Sequence, residues 1–172
     1  MVEIKTLIDE EKLHDRIDEI ARQIEEEYKG KEVTFICILK GSAFFTMDLA
    51  KRVNGDVRLE FIRVSSYGEG TESSGEIKMK LDLKDSIQGK DVIVIEDIID
   101  TGRTLSYLIE YLKMKKPNSV KLCALLDKPD RRVIDVKVDY TGFQIPDKFV
   151  VGYGLDWDEK YRNLPYIGYI EA

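Results

Sequence analysis

Three carboxylates followed by a turn that contains threonine and glycine are the residues of this sequence best suited to chemistry. They are Glu96, Asp97 and Asp100, followed by Thr101, Gly102, Arg103 and Thr104. Free backbone N–H groups at the start of a helix, together with the helix dipole, form an anion site. Gly102 lets the backbone approach a phosphate closely, and Thr101 and Thr104 add hydroxyl donors. The turn therefore predicts a phosphate-binding loop.

Glu96 and Asp97 have a different chemistry, because carboxylates repel phosphate. They are suited to accept hydrogen bonds from a diol or to hold a divalent cation. A diol beside a phosphate describes ribose 5-phosphate. Helix capping would explain one residue, such as Asp100 or Thr101. It does not explain three acids that begin within the end of an apolar strand, so we predict a ligand site here.

The elements that must position these residues follow from the spacing of apolar side chains. Apolar residues that recur three or four positions apart predict helices, and continuous runs of β-branched or apolar residues predict buried strands. The predicted helices are residues 9–28, 42–53 and 104–116, and the predicted strands are residues 33–39, 57–64, 78–83, 91–96, 120–126 and 133–140. Residues 65–76 are polar and glycine-rich, which predicts a mobile loop or hairpin tip. Residues 141–172 carry short aromatic runs without a long helix.

The alternation of strands and helices predicts an α/β fold with a mostly parallel central sheet flanked by helices, in one domain over residues 1–172. In such sheets, ligands bind beyond the carboxyl ends of the strands. The chemistry is therefore expected just after Leu39, Ile95 and Leu126. The three acids and the threonine-glycine turn fit this expectation, because they follow Ile95 directly.

Composition and charge disfavour several classes of protein. The formal net charge of −6 argues against nucleic-acid binding, which requires a clustered basic face. No apolar run reaches the roughly 18–20 residues that span a membrane, the charged N-terminus lacks the apolar centre of a signal peptide, and a cytoplasmic location is expected. Cys37 and Cys123 lie in apolar runs without metal-ligand spacing, so we expect core cysteines rather than a zinc site. His14 is expected at a solvated helix surface, and no P-loop kinase motif occurs.

The run VIVIEDIIDTGRT (residues 92–104) resembles the signature that binds phosphoribosyl pyrophosphate (PRPP) in type I phosphoribosyltransferases. That signature has four apolar residues, two acids, two apolar residues, an acid or other residue, and then Thr-Gly-x-Thr. The resemblance implies that Glu96 and Asp97 contact the ribose hydroxyls and that residues 100–104 bind the phosphate. It also implies the type I phosphoribosyltransferase fold, with a small hood and a flexible loop beside the central sheet.

Nearly the whole chain is similar to the hypoxanthine-guanine branch of that family. Lys40 and Gly41 match its pyrophosphate loop, where a cis peptide bond is expected between Leu39 and Lys40. Ser66 and Tyr67 match the flexible loop that closes over the reaction centre and excludes water. A plain surface hairpin is the alternative interpretation of that loop.

The purine site is also implied by the resemblance. Lys128 matches the lysine that recognises the 6-oxo group, and an ammonium donor at that place favours hypoxanthine or guanine over adenine. Within the second matching segment, residues 147–156, Phe149 would stack on the purine and the Val150 backbone would bind the purine edge. A core aromatic is the alternative interpretation of Phe149.

Magnesium is the cofactor that the resemblance implies, with Glu96, Asp97 and Asp156 as its predicted ligands. Asp156 ends the purine-binding segment and would lie near both magnesium and pyrophosphate. Arg162 would help to bind pyrophosphate. Trp157 departs from the tyrosine that many relatives carry, which would change the wall of the pocket without changing the reaction.

The resemblance implies an enzyme of purine salvage. It would transfer the 5-phosphoribosyl group from PRPP to hypoxanthine and/or guanine, giving IMP or GMP and pyrophosphate through an oxocarbenium-like transition state. Asp100 matches the general base that takes the proton from N7 of the purine. The family suggests a homodimer or homotetramer, and the apolar run of Phe44, Phe45 and Met47 could serve an interface as easily as a core.

Two rival functions share parts of this pattern. An RNA-binding regulator of the pyrimidine-operon attenuator type resembles the chain in size and in the PRPP motif. Such proteins usually carry tyrosine before Thr-Gly and a basic face, so Asp100 and the acidic balance disfavour this rival. The second rival is a phosphoribosyltransferase for another base. Lys128 and Phe149 disfavour uracil and leave xanthine open.

Overall fold

Nine strands and three helices make up residues 2–66 and 77–171, the part of the chain that the computed structural model describes. The helices are α1 (Glu10–Glu27), α2 (Ala43–Arg52) and α3 (Arg103–Lys113). The strands are β1 (Ile4–Ile8), β2 (Glu32–Ile38), β3 (Asp56–Ser66), β4 (Ile77–Leu81), β5 (Asp91–Ile99), β6 (Ser119–Asp127), β7 (Tyr140–Gln144), β8 (Phe149–Val151) and β9 (Ile167–Ile170). A 3₁₀ turn, Pro129–Arg131, follows β6.

Six strands form the central sheet, in the order β4-β3-β2-β5-β6-β7. The pairs β2–β3, β2–β5, β5–β6 and β6–β7 are parallel, and β4 runs antiparallel to β3. This sheet confirms the predicted α/β fold. Since β5 lies between β2 and β6, the residues that follow these three strands come together at one edge of the sheet.

Helices cover both faces of the central sheet. On one face, Ile17 of α1 and Phe45 of α2 belong to the same buried cluster as Phe35 of β2. On the opposite face, Leu108 of α3 belongs to a second cluster with Val94 of β5. A strand that is buried on both faces has a continuous run of apolar residues in its sequence. For this reason the sequence predicted β2, β5 and β6.

A smaller antiparallel sheet, in the order β1-β9-β8, accounts for the expected hood. Its register pairs both Ile4 and Phe149 with Ile170. The sequence did not predict any of the three strands of this sheet. They are short, with five, three and four residues in β1, β8 and β9, so local periodicity gives a weak signal.

The predicted strand over residues 133–140 is wrong. The N–H groups of Val133 and Ile134 donate to the carbonyl of Thr101, at 2.9 and 3.1 Å, instead of to a neighbouring strand. The strand that extends the sheet beyond β6 is β7, Tyr140–Gln144. Residues 133–139, which precede β7, are irregular and pack against the start of α3; we call them the strap.

Several element boundaries also differ from the prediction. β5 continues to Ile99, so Glu96 and Asp97 lie inside the strand, and α3 ends at Lys113 rather than Lys116. β3 continues to Ser66, whose backbone pairs with Ile77. Tyr67 and the rest of the predicted loop, to residue 76, lie outside the described residues.

The two cysteines, Cys37 and Cys123, are free thiols within the core, as predicted. His14 is partly buried on α1 rather than fully solvated. Among the described residues, α1, α2 and α3 are all too short or too polar to cross a membrane.

Candidate active site

The ends of β2 and β5 and the start of α3 enclose a cavity of about 280 Å³. The predicted site residues that line it are Gly41, Glu96, Asp97, Asp100, Thr101, Gly102 and Thr104. Arg103 is exposed and is not part of this lining. The structure thus brings the two acids and the predicted phosphate loop around one space.

Glu96 and Asp97 are adjacent, partly buried carboxylates near the end of β5. The backbone N–H of Asp97 donates to Glu96 Oε1 at 2.8 Å, and the N–H of Ile98 donates to Asp97 Oδ1 at 2.6 Å. Desolvation raises the pKa of Glu96 well above its usual range, and the neighbouring Asp97 charge raises it further. Desolvation also raises the pKa of Asp97, while hydrogen bonds and the Arg162 guanidinium oppose that rise.

Gly41 lies directly against the Asp97 carboxylate. A Cβ atom at this position would collide with Asp97 Oδ2, so the close approach requires glycine. The peptide bond between Leu39 and Lys40 is cis, as the family resemblance implied. The loop after β2 and the acids of β5 therefore form one surface.

The predicted phosphate loop ends at the first turn of α3. Gly102 is the residue before the helix, with φ of 85°, a conformation that side chains other than glycine rarely adopt. A Cβ atom at Gly102 would also collide with the carbonyl oxygen of Ile134 in the strap. The N–H of Arg103 donates weakly to Thr101 Oγ1 at 3.4 Å. The loop is thus held from outside by the strap.

Asp100 has a partner that the sequence did not reveal. Nε of Arg131 lies 2.9 Å from Asp100 Oδ1, and Nη1 of Arg131 lies 3.6 Å from Asp147 Oδ2. Asp147 in turn lies 3.5 Å from Nζ of Lys128. These four side chains connect the predicted general base to the predicted purine-recognition lysine. The sequence analysis did not predict a role for Arg131. This residue lies in a 3₁₀ turn, where the spacing of apolar residues does not indicate which way a side chain points.

The predicted purine-binding residues differ strongly in exposure. Lys128 is 9% exposed, an unusually buried position for lysine, and its backbone N–H donates to the carbonyl of Ile99 at 3.0 Å. Phe149 is 53% exposed, which excludes a core role for its ring. Val150 is buried and pairs with Tyr169 of β9. An exposed ring beside a sheet strand offers a flat apolar surface for stacking.

The predicted pyrophosphate cations contact carboxylates of the chain. Nζ of Lys40 lies 2.9 Å from Glu159 Oε2, and Nη2 of Arg162 lies 3.0 Å from Glu159 Oε1. Nη2 of Arg162 also lies 3.3 Å from Asp156 Oδ1. The Asp156 carboxylate therefore contacts Arg162 and also accepts a hydrogen bond from the backbone N–H of Glu159. Glu159 was missed by the sequence analysis, since an acid in a charged loop carries no signal of its own.

Within residues 2–66 and 77–171, no three Asp, Glu, His or Cys side chains lie close enough together to hold a metal ion. The three predicted magnesium ligands therefore do not form a protein cage. Mg²⁺ in phosphate-binding enzymes uses one or two carboxylates together with substrate phosphates. Glu96 and Asp97 provide the hard oxygen donors for that mode.

Comparison with known proteins identifies the family. The family model of the phosphoribosyl transferase domain matches residues 3–158. The chain belongs to the phosphoribosyltransferase family. Among curated phosphoribosyltransferase relatives, it is 47% identical to the hypoxanthine-guanine phosphoribosyltransferase of Streptococcus thermophilus, over 97% of this chain and 93% of that protein. It is 52% identical to the bifunctional protein TilS/HprT of Listeria monocytogenes, over 97% of this chain but only 26% of that protein.

Solved phosphoribosyltransferase structures share the fold. A hypoxanthine-guanine phosphoribosyltransferase of Bacillus anthracis is 48% identical, with a TM-score of 0.94 over 99% of this chain and 100% of that chain. A hypoxanthine phosphoribosyltransferase of Staphylococcus aureus is also 48% identical, with a TM-score of 0.94 over 97% of this chain and 91% of that chain. The central sheet with its small hood is therefore the phosphoribosyltransferase fold.

We predict that Glu96→Gln raises the melting temperature at pH 7. Folding raises the pKa of the Glu96 carboxyl, so this group lowers the free energy of unfolding as the pH rises from its pKa in the unfolded state to its pKa in the folded state. The higher melting temperature of Glu96→Gln should therefore be seen at pH 7. It should vanish below about pH 4, where the wild-type carboxyl is protonated in both the folded and the unfolded state. For a chain of this size, each 1 kcal/mol of change in the free energy of unfolding shifts the melting temperature by about 2–4 °C.

The measurement is thermal unfolding by circular dichroism in EDTA without PRPP. Glu3→Gln is the matched control, since Glu3 is exposed and the change removes the same charge. Equal melting temperatures for wild type and Glu96→Gln at pH 7 would contradict the argument.

Proposed function

We propose that this chain transfers the 5-phosphoribosyl group from PRPP to hypoxanthine and/or guanine, giving IMP or GMP and pyrophosphate in purine salvage. The observation that carries the proposal is that the acids of β5, Gly41 and four residues of the predicted phosphate loop line one cavity; these four are Asp100, Thr101, Gly102 and Thr104. The names of relatives that are 47% identical over nearly their whole length support the same reaction. A cytoplasmic location is inferred from the same likeness, and cell fractionation would check it.

In the proposed complex, the 5-phosphate lies at the start of α3. Backbone N–H groups of residues 101–104 and the helix dipole would bind it. Glu96 and Asp97 would accept hydrogen bonds from the ribose hydroxyls, which suits carboxylates held at the edge of the same cavity. The diphosphate would lie toward Lys40, Gly41 and Arg162.

The purine would bind between the hood and the end of β6. The exposed ring of Phe149 would stack on the base, and the Val150 backbone would bind its edge. The Lys128 ammonium would donate to O6, and its low exposure strengthens that preference, because a buried donor left without an acceptor is costly. Adenine presents a donor at this position, so the Lys128 N–H that faces it would have no acceptor on the base.

The chemical step joins a purine nitrogen to C1 of the ribose as the bond from C1 to pyrophosphate breaks. The leaving pyrophosphate keeps the bonding electrons, and the transition state carries positive charge on the ribose. Asp100 would take the proton from N7 of the purine. The Arg131 guanidinium, at 2.9 Å, holds the Asp100 carboxylate in one orientation.

Magnesium fits the donor set of this site. Glu96 and Asp97 would hold it together with oxygens of PRPP, with Asp156 near the diphosphate end. When bound, the ion neutralises charge on the leaving pyrophosphate. The proposal also includes closure over the reaction centre by the segment that begins at Ser66, the last residue of β3, and Tyr67.

A homo-oligomer is proposed from one exposed apolar surface. Leu59 and Phe61 of β3 are 41% and 36% exposed, and they pair with Phe35 and Cys37 on the face that α1 and α2 cover elsewhere. Phe44 at the start of α2 is also exposed, whereas Phe45 is fully buried and serves the core. Leu81 of the neighbouring β4 is 45% exposed, and we call Leu59, Phe61 and Leu81 the β3–β4 apolar surface. A second copy of the chain would cover it.

The proposed function predicts a specific pattern of base use. With PRPP and magnesium, hypoxanthine and guanine should be converted to nucleotides, whereas adenine and uracil should remain unconverted. Steady-state assays with each base, including xanthine, measure this and rank the 6-oxopurines. A folded protein that binds PRPP and converts none of these bases would overturn the enzyme assignment.

Asp100→Asn should reduce turnover by about 10²- to 10⁴-fold, the usual contribution of a general base, with PRPP affinity kept within about twofold. Calorimetric titration of PRPP and steady-state kinetics separate the two effects. Asp130→Asn is the control, since Asp130 is an exposed acid next to Arg131. Turnover near the wild-type value in Asp100→Asn would remove Asp100 from the mechanism.

Phe61→Lys should shift the protein toward the monomer, because it places a charge within the β3–β4 apolar surface. Tyr107→Lys is the matched control, since Tyr107 on α3 is an aromatic residue of similar exposure, 46%, outside that surface. Sedimentation velocity gives the oligomeric state of each variant. A wild-type monomer at micromolar concentration would rule out this surface as a stable interface.

A further inference from the structure

Glu159 connects the two cations proposed to bind pyrophosphate. One carboxylate oxygen lies 2.9 Å from Nζ of Lys40, and the other lies 3.0 Å from Nη2 of Arg162. The two residues are far apart in the sequence, so a single side chain joins the loop after β2 to the loop after β8. A carboxylate that accepts from two cations with its two oxygens makes the same kind of contacts as one phosphate group.

The position of Glu159 is fixed by its backbone. Its N–H donates to Asp156 Oδ2 at 2.8 Å, and Trp157 and Lys160 exchange two backbone hydrogen bonds at 3.0 and 3.1 Å. Asp158 and Glu159 both have left-handed backbone, with φ of 54° and 60°. This tight turn presents the Glu159 side chain to the two cations, while the side chain itself stays 64% exposed.

Arg162 is more firmly anchored than the carboxylate that it contacts. Its side chain is 22% exposed, and Nη1 donates to the carbonyl of Gly154 at 2.7 Å. Its Nε atom is buried and has no hydrogen-bond partner within the described part of the chain. Gly154 packs against the carbonyl of Gly41, so the guanidinium is tied to the loop that carries Lys40. Arg162 is therefore held in place, and the more exposed Glu159 carboxylate is the partner that can move away from it.

We propose that Glu159 is a positioning residue that competes with the diphosphate of PRPP and with product pyrophosphate for Lys40 and Arg162. The inference rests on the proposed function, which assigns these two cations to pyrophosphate. Exposed ion pairs contribute little stability. A diphosphate carries several charges where Glu159 carries one, so it displaces the carboxylate readily, and the carboxylate returns when pyrophosphate departs.

The competition has a kinetic signature. The apparent affinity for a diphosphate is the intrinsic affinity multiplied by the fraction of molecules in which Glu159 has left the cations. The Glu159 carboxylate occupies both cations at once, so a diphosphate can reach them only after this carboxylate has left. Removing this charge should therefore tighten PRPP and pyrophosphate binding and leave the Michaelis constant for the purine unchanged.

The test compares Glu159→Gln with Asp158→Asn. The second variant removes the same charge from the neighbouring residue, which is exposed and has no ion pair with any residue that the structure describes. Magnesium pyrophosphate is titrated into each protein by calorimetry, and the Michaelis constants for PRPP and hypoxanthine are measured by steady-state kinetics.

Glu159→Gln should lower the dissociation constant for magnesium pyrophosphate and the Michaelis constant for PRPP by about 3- to 10-fold. Asp158→Asn should change either constant by less than about twofold. Three results would each overturn the proposal: an equal gain in both variants, no gain in Glu159→Gln, or weaker binding in Glu159→Gln. The last would mean that Glu159 holds the cations in place for the ligand. If the wild type converts no base, the proposed function fails, and the pyrophosphate titrations still report on Glu159 by themselves.

Discussion

Two adjacent carboxylates at the end of a buried parallel strand impose the constraint on which the rest of the site depends. Glu96 and Asp97 lose part of their hydration on folding, which raises the pKa of both, and the charge of Asp97 raises the pKa of Glu96 further. The protein offsets this with backbone N–H donors from their own strand and with the field of Arg162. The Asp97 carboxylate also packs against Gly41, which brings the loop after β2 into contact with β5. The ribose end and the diphosphate end of the proposed site are thus joined through one side chain.

Charge balance on either side of those acids follows a common pattern. On the side proposed to bind the purine, Asp100 and Asp147 share Arg131, and Asp147 also contacts Lys128. On the side proposed to bind the diphosphate, Asp156 and Glu159 share Arg162, and Glu159 also contacts Lys40. Each cation proposed to bind a substrate therefore already has a carboxylate partner from the chain. Substrate binding becomes an exchange of partners rather than the burial of a bare charge, which keeps its desolvation cost low.

The sequence predicted the features that depend on short-range pattern. The strand, two acids and threonine-glycine turn of residues 91–104 are contiguous, so their arrangement follows from local geometry once the strand is recognised. The strand predicted over residues 133–140 failed because alternating apolar residues also suit a strap whose backbone bonds go to Thr101. Arg131 and Glu159 could not be predicted, because their partners are set by how separate loops meet in space. Whether a charged residue in a loop touches a distant carboxylate leaves no periodic trace in the sequence.

The hood joins the two ends of the described chain. Ile4 and Phe149 flank the same residue, Ile170, on neighbouring strands. The ring proposed to stack on the purine is therefore supported by a strand from near the start of the chain and another from near its end. Because Ile4 pairs with Ile170, the hood depends on contacts between residues that are very far apart in the sequence. Contacts of such long range are slow to form, so we expect the hood to assemble late in folding, after the central sheet.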